Sequence, residues 1–263
     1  MGAETRLVVL GAAGRLGGRI LELARETEGV RVAAALEHPR SVSLGKPVPG
    51  HDGLTFARDD ADVSGGDVLV DVSLPEAVAA HAERAVAAGR PLLVAVTGLS
   101  VETRVALDRA AKGIPVCVAP NLSTGVWVLA SLVRQAARSL RGFDVEVAEI
   151  HHRHKRDAPS GTALLLARHA AEGRGLIPEA VTVNNRSSEP KVRAADSLGV
   201  TALRGGDVVG DHTVYLLGDG ERLELTHRAH SRDTFARGAL RLAPLLKGRA
   251  AGLVTVPELL GLQ

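Results

Sequence analysis

One cysteine, one methionine, one tryptophan, one tyrosine and three phenylalanines are all that 263 residues carry of these five types. The single thiol, Cys117, excludes an internal disulfide framework, and its place in Val116-Cys117-Val118 marks it as a small buried hydrophobe. So few aromatic rings offer almost nothing on which nucleobases could stack. With a formal net charge of only +2, the pI near 9.0 does not argue for nucleic acid, and the positive potential is expected to be local. No apolar run approaches the length of a membrane span. Met1 to Arg6 lead straight into a strand pattern, with no cationic stretch ahead of a long apolar one. Neither a signal peptide nor a membrane is therefore expected, and the cytoplasm is the default location. Lysine is scarce as well, five against 27 arginines, so each lysine stands out as the cation that can give up a proton.

A 45% hydrophobic chain of this length has material for one large or two modest domains. Up to about residue 120, short β-branched runs alternate with helical patterns, the grammar of an α/β, doubly wound parallel sheet. Strands are predicted at Arg6–Leu10, Val30–Leu36, Asp67–Val72, Pro91–Val96 and Pro115–Ala119. Helices are predicted through Leu16, Ile20 and Leu23, over Glu76–Ala88 and over Val101–Lys112. From about Ser123 the pattern changes to a helix at Thr124–Ser139, a strand at Phe143–Ile150, a histidine-rich loop and a helix after Ser160. Ser197–Arg204, Asp207–Leu217 and Glu221–Ala229 follow as antiparallel strands, the last two joined by Gly218-Asp219-Gly220. The division is a dinucleotide-type domain over 1–122 and an α+β domain with a mixed or antiparallel sheet over 123–230. A final helix near Thr234–Lys247 and the tail Gly252–Leu262 return 231–263 to the first domain, and Glu189–Asp196 is predicted to be a mobile loop.

The chemistry concentrates between Glu149 and Ala163. His151, His152 and Lys155 can bind carboxylates and supply a proton near neutral pH. Pro159 imposes an extended approach, Ser160 caps the next helix, and the N–H groups of Gly161 and Thr162 stand as donors at its positive end. The combination suits a dianionic substrate. A single histidine here would read as a solvated turn; the whole set beside an anion site does not. His152 and His154 could share a face toward a metal, but no cysteine and no third ligand at standard spacing accompany them, so no metal is expected.

Gly11-Ala12-Ala13-Gly14-Arg15-Leu16-Gly17 follows the strand Leu7–Leu10 and opens a helix, the setting of a dinucleotide fingerprint, although a glycine turn alone can be purely structural. Glu37, twenty residues after Gly17, ends the second strand where a ribose hydroxyl would be bound. Its charge disfavours a ribose 2′-phosphate, whereas Arg15, His38 and Arg40 would soften the repulsion, if the last two are more than a solvated loop. Ala95-Val96-Thr97-Gly98 and Ala119-Pro120-Asn121-Leu122-Ser123 end strands on the ligand-binding side and can line a nicotinamide; as ordinary turns, with Ser123 an N-cap, they would look the same.

Assembled, these residues resemble the dihydrodipicolinate reductase family, the 4-hydroxy-tetrahydrodipicolinate reductases of the diaminopimelate route to lysine. The likeness runs from the Gly11–Gly17 turn through Glu37, Pro75-Glu76, Thr97-Gly98, Ala119-Pro120-Asn121 and the His151–Ala163 signature to Gly206-Asp207 and Thr234-Phe235-Ala236. It implies a Rossmann-type domain, and an α+β domain that builds a homotetramer through its sheet, with a hinge closing the two over substrate. It implies NADH and/or NADPH held by Gly11, Ala12, Ala13, Gly14, Arg15, Leu16, Glu37, His38, Ala95, Val96, Thr97, Ala119, Pro120, Asn121 and Leu122. It also implies His151 as proton donor, Lys155 as second acid or electrostatic partner, and His152, Ser160, Gly161, Thr162 and Thr97 as ligands of a small dicarboxylate. The chain departs from the family pattern at Ala95-Val96, at Leu122 in place of an aromatic, and at Pro190-Lys191-Val192-Arg193 in place of Thr-Gly-x-Arg. Two other functions share parts of this plan: a two-domain NAD-dependent amino-acid dehydrogenase, which has no need of the histidine signature, and a non-catalytic dinucleotide sensor, which needs only the first domain.

Overall fold

A computed structural model describes residues 4–184 and 192–262, which form two compact units. The first begins β1 (Thr5–Leu10), α1 (Arg15–Ala24), β2 (Val30–Glu37), β3 (Phe56–Arg58), β4 (Val68–Asp71), α2 (Val78–Ala87), β5 (Leu92–Val94), α3 (Val101–Ala110) and β6 (Pro115–Val118). The second holds α4 (Thr124–Ser139), β7 (Asp144–His151), α5 (Gly161–Arg174), α6 (Pro178–Val181), β8 (Thr182–Asn184), β9 (Leu198–Arg204), β10 (Gly210–Leu217) and β11 (Arg222–Ala229). The chain then returns to the first with α7 (Asp233–Leu246), β12 (Gly252–Leu253) and α8 (Val256–Leu260).

The first unit is the doubly wound parallel sheet that the alternation predicts, in the order β12-β6-β5-β4-β1-β2-β3. Strands covered on both faces must be apolar along their whole length, and Val68–Asp71 and Leu92–Val94 are buried at every position. Strand order reverses between β1 and β4, so the loops after Leu10 and Asp71 flank the switch point where such sheets bind ligands. Ile20 and Leu23 bury the predicted apolar face of α1, which packs beside α7. Cys117 is fully buried in β6, and that burial pushes its thiol up to about 12. Among the described residues no helix is long and apolar enough to cross a membrane.

The second unit is a mixed five-stranded sheet, β11-β10-β7-β9-β8, with α4 and α5 packed on it over Val133, Val147, Leu166 and Leu216. One expectation is corrected: Ser197–Arg204 is not antiparallel but lies parallel to β7, Val145 opposite Leu198 and His151 opposite Arg204. β8, which α5 and α6 lead into, is parallel to β9 as well, so β7, β8 and β9 all run one way; alternation within a strand carries no sign of direction. β10 starts at Gly210 rather than Asp207, and joins β11 through the expected glycine turn, Gly218 N–H bonding the Glu221 carbonyl at 2.9 Å. Of the loop expected to be mobile at Glu189–Asp196, residues 189–191 lie outside the described residues, as do Pro190 and Lys191 of the departing segment. Arg193, however, is tied to β7 by the carboxylates of Asp144 and Glu146.

Candidate active site

In the first unit the turn after β1 is built by contact rather than by preference. Gly11 stands at φ +80°, and a Cβ on it would lie 2.7 Å from the Ser73 Cα beyond β4; one on Gly17 would lie 2.2 Å from the Gly11 carbonyl oxygen. Only glycines allow α1, the turn and the β4 loop to meet this closely, leaving a bare backbone cradle at the switch point. Helix geometry leaves first-turn N–H groups such as those of Arg15 and Leu16 without intrahelical acceptors, a setting that fits a pyrophosphate. Glu37 ends β2 beside this turn and accepts the Ala13 N–H at 2.6 Å. His38 Nδ1 accepts the Arg40 N–H at 3.1 Å, so this stretch bonds partly to itself. Ala95–Thr97 and Ala119–Asn121 follow β5 and β6 on the same edge, with Thr97 exposed and Gly98 at φ +73°. Ala12, Ala119 and Leu122 are buried and present no open side chain.

Asp71 is a buried residue that no motif singles out. It accepts the Ser73 N–H at 3.0 Å and hydroxyl at 2.5 Å, and meets His81 Nδ1 at 2.8 Å, fixing the loop that abuts Gly11.

In the second unit, strand alternation turns Val145, Val147, Glu149 and His151 to one face. His151 is the last residue of β7 and is buried, its Nδ1 2.5 Å from Glu149 Oε2. Glu149 has no solvent exposure and also receives both Nη groups of Arg204, each at 2.8 Å, and the Ser160 N–H at 3.0 Å. Burial opposes its ionisation, but the bonds from Arg204, His151 and Ser160 together hold its pKa below the usual carboxylate range. Ser160 caps α5 as expected, its Oγ accepting the Ala163 N–H at 3.1 Å, and lies 3.1 Å from His212 Nε2. A Cβ at Gly161 would meet nothing within 4 Å, so the helix opening is uncrowded. Burial, aided by His151, pushes His212 down to about 4. Lys155 pairs with Asp157 at 2.9 Å. His152 lies on an open pocket of about 580 Å³, with its Nε2 3.2 Å from Arg232 Nη2; partial desolvation and then that guanidinium lower its pKa. Among the described residues no group of three or more His, Cys, Asp or Glu could hold a metal ion.

The loop therefore gathers His151, His152, Lys155 and Ser160, and the sheet adds Glu149, Arg204 and His212, which motif spacing does not reveal. A signal for them existed. All three fall at the inward parity of strands whose other inward residues are Val145, Val147, Leu198, Val200, Val214 and Leu216. A polar residue at such a position must be paired.

A parallel sheet whose switch point is a bare glycine turn, in one chain with a carboxylate-held imidazole beside a capped helix, is the build of a nicotinamide-dinucleotide-dependent oxidoreductase. The comparisons with known proteins narrow this. Residues 5–122 match the family model for the dihydrodipicolinate reductase N-terminus, and residues 125–260 that for its C-terminus, so the chain belongs to the dihydrodipicolinate reductase family. It is 44% identical over 266 residues to the 4-hydroxy-tetrahydrodipicolinate reductase of Anaeromyxobacter dehalogenans strain 2CP-1, covering 98% of both chains. It is also 44% identical over 270 residues to that of Myxococcus xanthus strain DK1622, again covering 98% of both. In fold it is similar to a dipicolinate-bound dihydrodipicolinate reductase from Paenisporosarcina sp. TG-14, with a TM-score of 0.76, 21% identity and coverage of 97% and 98%.

Proposed function

We propose that this chain catalyses the NAD(P)H-dependent reduction of 4-hydroxy-tetrahydrodipicolinate to tetrahydrodipicolinate in the diaminopimelate route to lysine, as a cytoplasmic homotetramer. The observation that carries this is the joining of a carboxylate-held His151 to the Ser160-capped opening of α5, in a chain 44% identical end to end to a reductase of that name. Loss of water from the hydroxylated ring leaves a conjugated imine, whose reduction adds a hydride to one ring carbon and a proton to its neighbour. The bound reduced nicotinamide supplies the hydride. His151 gives the proton, Lys155 acts as second acid or electrostatic partner, and His152, Ser160, Gly161 and Thr162 hold the carboxylates, with Thr97 of the first unit as a further ligand. Gly11–Leu16, Glu37, His38, Ala95–Thr97 and Ala119–Leu122 hold the dinucleotide; Glu37 favours NADH, and Arg15 and Arg40 leave NADPH usable.

A coupled assay in which the preceding synthase supplies its unstable product tests this. Nicotinamide oxidation should appear only when that product forms. His151→Ala and Lys155→Ala should each lower kcat by about 10²–10⁴-fold with cofactor affinity little changed. Oxidation driven instead by free amino acids would indicate an amino-acid dehydrogenase, and cofactor binding without turnover a sensor.

A further inference from the structure

Glu149 touches neither the loop's exposed face nor solvent, yet it holds three parts of the site at once. A carboxylate offers about four acceptor positions, and here four donors occupy them: two from Arg204, one from His151 and one from Ser160. A fully buried anion is tolerated only when paired and hydrogen-bonded in this way. Arg204 Nη2 also bonds the Asp157 carbonyl at 2.7 Å, and the Asp157 carboxylate is the partner of Lys155. We propose that Glu149, clamped by Arg204, is a positioning residue that fixes the proton-carrying tautomer of His151 and locks it in register with the α5 anion site.

The chemistry follows from which nitrogen is engaged. With Nδ1 donating to Glu149, the Nε2 of His151 is the atom left to carry a proton to substrate and take one back. Gly210 keeps that atom clear, since a Cβ there would lie 2.9 Å from Nε2. The groups around His151 are Glu149 on its own strand, its register partner Arg204 on β9, His212 on β10 and His152 in the loop; Lys155 acts on His152 and His212, and Asp157 meets Arg204 and Lys155. His212, edge-on with ring centroids 5.1 Å apart, is held neutral by its burial and adds no competing charge. Glu149 is therefore the anion in direct contact with the His151 ring, and the contact runs through Nδ1 alone.

This rests on His151 being the proton donor, and the test separates the two claims. The dependence of kcat on pH is measured for the wild type, Glu149→Gln, Glu149→Asp and the double variant Glu149→Gln with Arg204→Met, which removes both buried charges together. Glu149→Gln should lower kcat by about 10²-fold and move the basic limb of the profile down by about one pH unit or more, with NADH affinity within about twofold of wild type. Glu149→Asp should restore much of the limb position. The double variant, with its melting temperature near that of wild type, should keep both defects. If kcat in Glu149→Gln and in the double variant stays within about threefold and the limb does not move while His151→Ala is inactive, the positioning role is wrong and the donor assignment stands. An active His151→Ala would remove the donor assignment itself.

Discussion

Glu37, the proposed ribose ligand, accepts the Ala13 N–H. A 2′-hydroxyl can join that arrangement as a donor, whereas a 2′-phosphate meets like charge, so kcat/KM should favour NADH over NADPH. Glu37→Ala removes the repulsion and the acceptor together and should shift the kcat/KM ratio toward NADPH. A wild type strongly preferring NADPH, or a ratio unmoved by the substitution, would show that Glu37 is not the ribose ligand. His212 makes a different statement, about stability. Burial depresses its pKa from the ordinary 6.5 to about 4, so between those values the unfolded chain binds a proton that the folded chain refuses. Stability is whole above about pH 6.5 and falls by about 3 kcal/mol as the pH drops to 4, with no further loss from this group below. His169 and His227 are lowered in the same sense, so urea melts of wild type against His212→Gln isolate the share due to His212. Glutamine can still accept from Ser160. Equal slopes of stability with pH in the two proteins would show that His212 titrates normally.

At the scale of elements, much of the fold was legible because period and punctuation agreed. The predicted strands β1, β2 and β4–β6 lie within a residue or two of where they form, because each is an apolar run closed by a turn signal. β3 and β12 escaped, being three and two residues long with no pattern to detect, and their places are set by pairing with Ala35–Glu37 and Pro115–Val116. The direction of β9 escaped because it is set by its pairing with β7 and β8, which residue alternation does not encode. The histidine loop and the cap at Ser160 were legible as residue types in order; Glu149, Arg204 and His212 were not, because their meaning lies in cross-strand register. Glu149 stands opposite both His212 and Ala202, and Arg204 opposite His151, pairs distant in the chain that only the sheet brings side by side.

At the scale of the molecule, the same strands present their other face outward. Ile150 and Leu203 are register partners there, 37% and 49% exposed, on a sheet whose opposite face is covered by α4 and α5. The two apolar side chains share this face with Thr213 and Thr226, which bond each other at 3.0 Å, and with the Arg228–Asp211 pair; a mixed face of this kind is where a second copy would sit in the proposed tetramer. Light scattering should give about four times the 27.4 kDa chain mass, and Leu203→Arg should yield a smaller species. A monomeric wild type would end the proposal. The first unit has a separate peculiarity: α7 packs on α1, β4, β5 and β6, and β12 extends the sheet beyond β6, yet both follow the whole second unit in sequence. During translation, then, the glycine turn and its carboxylate leave the ribosome ahead of the whole second unit, and the helix and edge strand that complete their sheet leave it after that unit. A nascent chain therefore has its second unit available to fold before its first can close.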